Sequence, residues 1–232
     1  MRIIQEVTSI QMLPATLTYT MKQTLHFLIV FLIFSLFLTS CTSTLLKLYG
    51  IKDMKAVDEK MILQLCQEYN IPLEDSYELD TAYSTFLLSH DKVFYKQQIK
   101  NHFQPLQALY FDKVGQLISY QINCNAGGSP NLAWDRDSIL TTFPPKQQTA
   151  IDSILSLEKQ LKFLHPLTQT SKFKAADYEY VVVIYWNRFM DRQSKRFIKF
   201  MQDNSQLPKD KKVKIVYANN DNIFVMADSQ KK

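Results

Sequence analysis

The heptapeptide Tyr180-Val181-Val182-Val183-Ile184-Tyr185-Trp186 constrains the fold more than any other stretch of the chain. Its β-branched and aromatic side chains favour extended backbone, and with no polar alternation neither face of such a strand can look onto water. A strand of this kind belongs in the middle of a sheet that is covered by helices on both sides, which makes the chain α/β. Residues 190–204 read as a helix that lays Phe197 and Met201 on that sheet, and residues 213–218 read as the next strand. Together they form a βαβ unit, whose two strands should be parallel. Upstream, 107–111 and 116–123 are β-rich runs separated by Asp112-Lys113-Val114-Gly115, a hairpin turn in which Gly115 supplies a positive φ.

The remaining segments carry helical signals. Over 58–70, Ile62, Leu65, Cys66 and Tyr69 recur at i, i+3, i+4 and i+7, one buried face that ends before Pro72. Residues 80–89 are either a short helix or a strand. Asp91 offers a cap for a helix running to Phe103, with Tyr95, Ile99 and Phe103 turned inward. After a long loop at 124–145, Thr149 and Asp152 make a capping-box signal for a helix over 151–164 that Pro166 closes. Residues 222–227 read as an edge strand. The expected architecture is a helical N-terminal region, 56–106, leading into a mixed sheet with flanking helices over 107–232, packed as one domain.

The N-terminus carries an address. The apolar run 25–38 follows Lys22 and is followed at once by Leu38-Thr39-Ser40-Cys41, which are the parts of an export signal. Leu38-Thr39-Ser40-Cys41 resembles the lipobox of bacterial lipoproteins, whose cysteine is acylated and becomes the first residue of the mature chain. The resemblance implies lipidation at Cys41, a signal peptide over 21–40 and a tether over 41–55. It also implies a domain anchored in the cell envelope and facing the periplasm. Fourteen apolar residues cross a bilayer poorly as a permanent helix, whereas acyl chains anchor well. An uncleaved membrane anchor over 25–46 and ordinary secretion are the competing readings. Residues 1–20 are an atypical prelude, and Met21 is an alternative start.

Residues 181–195 resemble the second strand and active-site helix of the thioredoxin superfamily. In that family a hydrophobic strand ends in an aromatic pair, here Tyr185-Trp186, and three residues later a C-x-x-C motif opens a helix. The two cysteine positions are Met190 and Gln193 in this chain. Disulfide exchange needs a thiolate of lowered pKa and a second thiol to resolve the mixed disulfide. The resemblance therefore implies a redox-inactive, thioredoxin-like binding or assembly module. Because the hairpin and a helix precede the βαβ unit, the sheet is either a rearranged thioredoxin-like one or a different α/β fold.

Other candidates are weighed on their chemistry. Cys124, between a strand and Gly127-Gly128, is a candidate thiol for a thiol-dependent envelope enzyme. Cys66 is either core filler or a disulfide partner of Cys124. Arg188, Arg192, Lys195 and Lys199 form one basic stripe, which is either a solvated helix face or a site for an anionic ligand such as a phospholipid head group. Trp134 and Arg136 in the long loop suit an interaction surface for an envelope protein, or Trp134 plugs the loop onto the core. With four glycines in 232 residues there is no nucleotide-cradling loop, and three cysteines without C-x-x-C spacing make no zinc scaffold. A net charge of +5 is too mild to argue for nucleic acid. No metal or other cofactor is expected.

Overall fold

The computed structural model describes residues 46–170 and 173–229. The extension at 1–20, the signal at 21–40 and Cys41 lie outside the described residues. Six strands, β1 (Ser76–Leu79), β2 (Gln107–Asp112), β3 (Leu117–Ile122), β4 (Leu164–Pro166), β5 (Tyr180–Trp186) and β6 (Val213–Asn219), make one mixed sheet in the order β3-β2-β5-β6-β1-β4. As the apolar run dictates, β5 is interior. It pairs antiparallel with β2, with Ala108 opposite Ile184, and parallel with β6, with Ile184 opposite Tyr217. Alternation along the strand sends Val181, Val183 and Tyr185 into one core and Val182, Ile184 and Trp186 into the other.

Among the described residues, seven α-helices flank the sheet: α1 (Glu59–Glu68), α2 (Ala82–Leu88), α3 (Lys96–His102), α4 (Asn123–Ala126), α5 (Leu157–Lys162), α6 (Asp191–Ser205) and α7 (Asp221–Ser229). The first face is packed by α6 through Phe197, Ile198 and Met201 and by α1 through Ile62, Leu65 and Cys66. Fully burying side chains of this size stabilises by about 1.5–3 kcal/mol each, which is why α6 follows its apolar spacing so closely. On the second face, Tyr83 and Leu87 from α2, Ile99 from α3, Leu157 from α5 and Ile223 from α7 meet the sheet.

Four expectations need correction. First, the region 56–106 is not purely helical, because β1 lies within it and is paired in parallel with β6, Ser76 opposite Tyr217. A four-residue strand without β-branched side chains has no local signature; the free edge of β6 creates it. Second, the helix expected over 151–164 is confined to α5, with Ser156 as its cap accepting the Lys159 N–H. The segment before it is irregular because Asp152 is drawn into the core, and the chain after it becomes β4, antiparallel to β1. Third, residues 222–227 are helical, within α7. Asn222 exchanges hydrogen bonds with the backbone of Val57 and binds Glu78, which no edge strand could do at that place. Fourth, the helix expected from Asp91 begins only at Lys96, after a turn that Asp91 caps.

Candidate functional site

The α6 N-terminus is where a thiol pair would stand in the resembled family. Gln193 is 1% exposed, and its carboxamide is a clamp. Its Oε1 accepts the Leu132 N–H at 3.0 Å, while Nε2 donates to Tyr49 O at 2.8 Å and Pro130 O at 3.1 Å. Met190 is partly buried against the α6 core, and its N–H donates to Asn187 Oδ1 at 2.9 Å. Residues 48–53 pass over this helix end. Arg192 donates to Leu48 O, Arg188 to Asp53 O, and the Lys52 N–H to Phe189 O at 2.7 Å. Gly50, at φ +71°, makes that approach possible, since a Cβ there would lie 2.8 Å from the Arg192 Cβ.

The first turn also carries its own anion. Asp191 accepts from the Tyr69 hydroxyl at 2.6 Å and pairs with Lys52 at 2.9 Å. Burial alone would raise its carboxyl, but those hydrogen bonds and the Lys52 and Lys195 ammoniums hold it below the ordinary value. An acidic group here complements the helix dipole. A helix N-terminus attracts an anion, and here the protein supplies its own in Asp191.

Beside it, at the C-terminal ends of β5 and β6, lies a buried polar knot. Asn187 donates to Pro105 O and Asn220 Oδ1, and Asn220 donates to the same Pro105 carbonyl. Asp221 accepts the N–H groups of Arg188 and Phe189 and the Asn219 amide. Burial pushes the Asp221 carboxyl above its usual value, against those donors. Its hydrogen bonds are satisfied internally, so this knot shapes the strand ends and holds out no group to a ligand.

The predicted basic stripe is divided. Arg188 and Arg192 hold the 48–53 segment, whereas Lys195 and Lys199 line a groove of about 520 Å³ with Glu68, Tyr69, Arg196, Phe200 and Asp203. Lys195 is bound to Glu68 at 2.6 Å, which raises its ammonium pKa, and Lys199 is paired with Asp203 at 3.1 Å. The groove is amphipathic: its two lysines are matched by carboxylates, and the Arg196 guanidinium lies over the Phe200 ring, 5.7 Å from the centroid.

In the long loop, Trp134 is buried and lies over Phe197 with ring centroids 4.2 Å apart, so it plugs the loop onto α6. Arg136 turns the other way. With Cys124, Asn125, Gly127, Ile139 and Gln148 it lines a recess of about 480 Å³. A Cβ at Gly127 would fall 2.5 Å from Arg136 Nη1, so glycine is what lets the guanidinium lie against the loop. The exposed Cys124 thiol donates to Gln104 Oε1 at 2.8 Å. A carboxamide oxygen accepts this hydrogen bond without removing the proton, so among its hydrogen-bond partners the thiol has no base. Cys66 and Cys124 are both free; Cys66 is buried, which pushes its thiol up to about 11.

Sequence reasoning missed a second polar centre, on the opposite face. His102 and Asp152 have side chains 0% and 1% exposed and meet at 3.1 Å. The His102 Nδ1 lies 3.2 Å from the Tyr120 hydroxyl and 3.4 Å from that of Tyr83, and Tyr120 donates to Gln107 Oε1 at 2.7 Å. Burial raises both phenols, so they serve as hydrogen-bond donors. The partners are 50 residues apart, and Asp152 carries a convincing local alternative as a capping residue, so no sequence signal joins them. The network is closed to solvent, which makes it structural in geometry.

Among the described residues no group of three histidine, cysteine, aspartate or glutamate side chains could hold a metal ion, and no helix is long and apolar enough to cross a membrane. Comparison with protein-family models, curated proteins and solved structures finds no match for this chain.

Proposed function

We propose that the chain is a lipid-anchored protein of a bacterial cell envelope, held at Cys41, whose folded part is a rearranged thioredoxin-like sheet used for binding or assembly and not for disulfide exchange. The observation that carries the binding reading is Gln193. The position where the resembled family keeps its resolving thiol is filled by a buried carboxamide that ties the 130–132 loop and Tyr49 to α6. Support for the rearranged sheet comes from β5, which has parallel β6 on one side and the antiparallel β2–β3 hairpin on the other, although that hairpin comes earlier in sequence. Among the described residues, the Lys195/Lys199 groove and the Cys124/Arg136 recess are two places that could take a partner.

The anchor is tested by labelling cells that express the full chain with a radioactive fatty acid. Label on the wild type and none on Cys41→Ser is expected; equal label on both defeats the anchor. The binding reading is tested with the purified full chain in a disulfide-reduction assay. No turnover, together with slow alkylation of Cys124 at neutral pH, is expected.

A second reading, a thiol-dependent envelope enzyme, draws on one observation, namely that Cys124 is exposed in the same recess as the Arg136 guanidinium. It requires a base that joins the thiol only when substrate binds. Turnover abolished by Cys124→Ser would establish it in place of the binding module.

A further inference from the structure

The turn between α2 and α3 presents apolar side chains to water by construction. Asp91 Oδ1 accepts the N–H groups of Val93 at 2.8 Å and Phe94 at 2.9 Å, and the Tyr95 N–H reaches Asp91 O at 2.9 Å. The same two backbone donors hold the Asp91 carboxyl below its usual range, so the cap is ionised throughout neutral pH. Tyr95 fixes the base of the turn, edge-on to His90 at 5.5 Å. At its tip Val93 is 90% exposed and Phe94 76%, with Leu88 also exposed at the end of α2. A lone exposed apolar residue needs no explanation. Two adjacent ones, raised on a turn whose backbone is bonded into place, present a fixed apolar tip.

Charge around the tip identifies what it meets. Lys92, Lys96 and Lys100 follow at intervals of four through the turn and α3, all exposed. Among the described residues none of these three enters an ion pair, so their ammoniums are free to meet an anion. Apolar side chains projecting beside unpaired ammoniums are the pattern of a peripheral contact with an anionic bilayer. The apolar tips enter the boundary between head groups and acyl chains, and the lysines stay at the level of the phosphates. A protein partner would have to offer a deep apolar socket ringed by carboxylates, while a fluid lipid surface accepts a projecting wedge without a preformed pocket.

We infer that the Val93-Phe94 turn is a lipid-surface contact that inserts into anionic membranes, with Lys92, Lys96 and Lys100 binding the lipid phosphates. This contact is separate from acylation at Cys41 and does not depend on it. Each lysine near such a surface contributes about fivefold in binding, so the three together contribute about a hundredfold.

The test uses the full chain with Phe94→Trp, mixed with phosphatidylcholine vesicles with or without phosphatidylglycerol, the acyl chains carrying bromine as a fluorescence quencher. Trp134 and Trp186 are buried and give the background, measured on the unsubstituted chain. Quenching of the added emission in phosphatidylglycerol vesicles is expected, with loss of that quenching in neutral vesicles. The same loss is expected when Lys92→Glu, Lys96→Glu and Lys100→Glu are combined with it. Absence of quenching in anionic vesicles overturns the proposal. So does equal quenching in neutral ones, or a blue-shifted emission without quenching, which would mean that a protein surface covers the turn. Because position 94 is exposed the substitution should leave the fold intact, and an unchanged circular-dichroism spectrum verifies this before the vesicles are added.

Discussion

The two faces of the sheet are built on different principles. The α6 face is covered by one long helix and by α1; the middle of α6 packs Phe197, Ile198 and Met201 on the sheet, and its buried polar side chains sit at its two ends, Gln193 and Ser194 at one and Asn204 and Ser205 at the other. The opposite face is covered by short helices, α2, α3 and α5, with α7 at one side, and sets a closed polar network of His102, Asp152, Tyr83, Tyr120 and Gln107 within its apolar core. Helices of six or seven residues are marginal by themselves, so they need something to fix their positions. Hydrogen bonds of defined direction supply it: the His102–Asp152 pair ties the end of α3 to the chain leading into α5. The difference teaches that one sheet can be held by non-directional packing where a helix is long and by directional polar contacts where the helices are short.

The largest expected effect tests the polar face. Asp152→Ala leaves His102 Nε2 buried without a partner and should cost about 3–5 kcal/mol of stability, read as a shift of the chemical-denaturation midpoint. Replacing both partners, His102→Leu with Asp152→Leu, should cost less than Asp152→Ala alone, because the orphaned group is then gone. A loss below about 1 kcal/mol for Asp152→Ala would mean that the network is incidental, and the contrast between the faces would fail. A smaller effect is expected at the rim of the α6 face. Gln193→Ala removes the clamp on Leu132, Tyr49 and Pro130 and should cost about 1–3 kcal/mol, with hydrogen exchange accelerating at Leu132 while the α6 core amides stay protected.

Legibility follows the same division. The β5 run, the α6 spacing of Phe197 and Met201, the hairpin at Asp112-Lys113-Val114-Gly115 and the α1 face of Ile62, Leu65 and Cys66 could all be read, because each is a local pattern that burial then uses. β1 and β4 could not, since a sheet edge made elsewhere in the chain turns them into strands. The helix expected over 151–164 is shortened to α5 because Asp152 can cap a helix or pair with a histidine, and the buried pair wins. For the candidate sites, Cys124 and Arg136 were named separately and the fold brings them into one recess, whereas the stripe from Arg188 to Lys199 splits. Its first two members grip backbone carbonyls of residues 48 and 53, contacts that depend on chain 135 and more residues away.

Asp191 gives the smallest of the three effects and the sharpest in sign. Its folded carboxyl is held below the ordinary value of 3.8 by the Tyr69 hydroxyl and the Lys52 and Lys195 ammoniums, against the opposing effect of burial. An acid with a lowered folded pKa contributes stability that is fully present above its unfolded pKa and is lost as pH falls through the folded one. Asp191→Asn keeps an acceptor for Tyr69 but loses the charge, so it should cost about 1 kcal/mol at neutral pH. The difference between wild type and variant should shrink as pH falls below about 4 and vanish once Asp191 is protonated in both states. Asp221 runs the other way: burial raises its carboxyl, so its folded state binds a proton more readily than its unfolded state, and its contribution improves as pH falls through the raised value. Denaturation of the wild type and Asp191→Asn across the acid range isolates Asp191, since the variant keeps the slopes of every other shifted carboxyl, Asp75, Asp80 and Asp221 among them, and lacks that of Asp191. If the two curves stay parallel down to the lowest pH, the charge on Asp191 does nothing for α6, and what the side chain contributes is its acceptor for the Tyr69 hydroxyl.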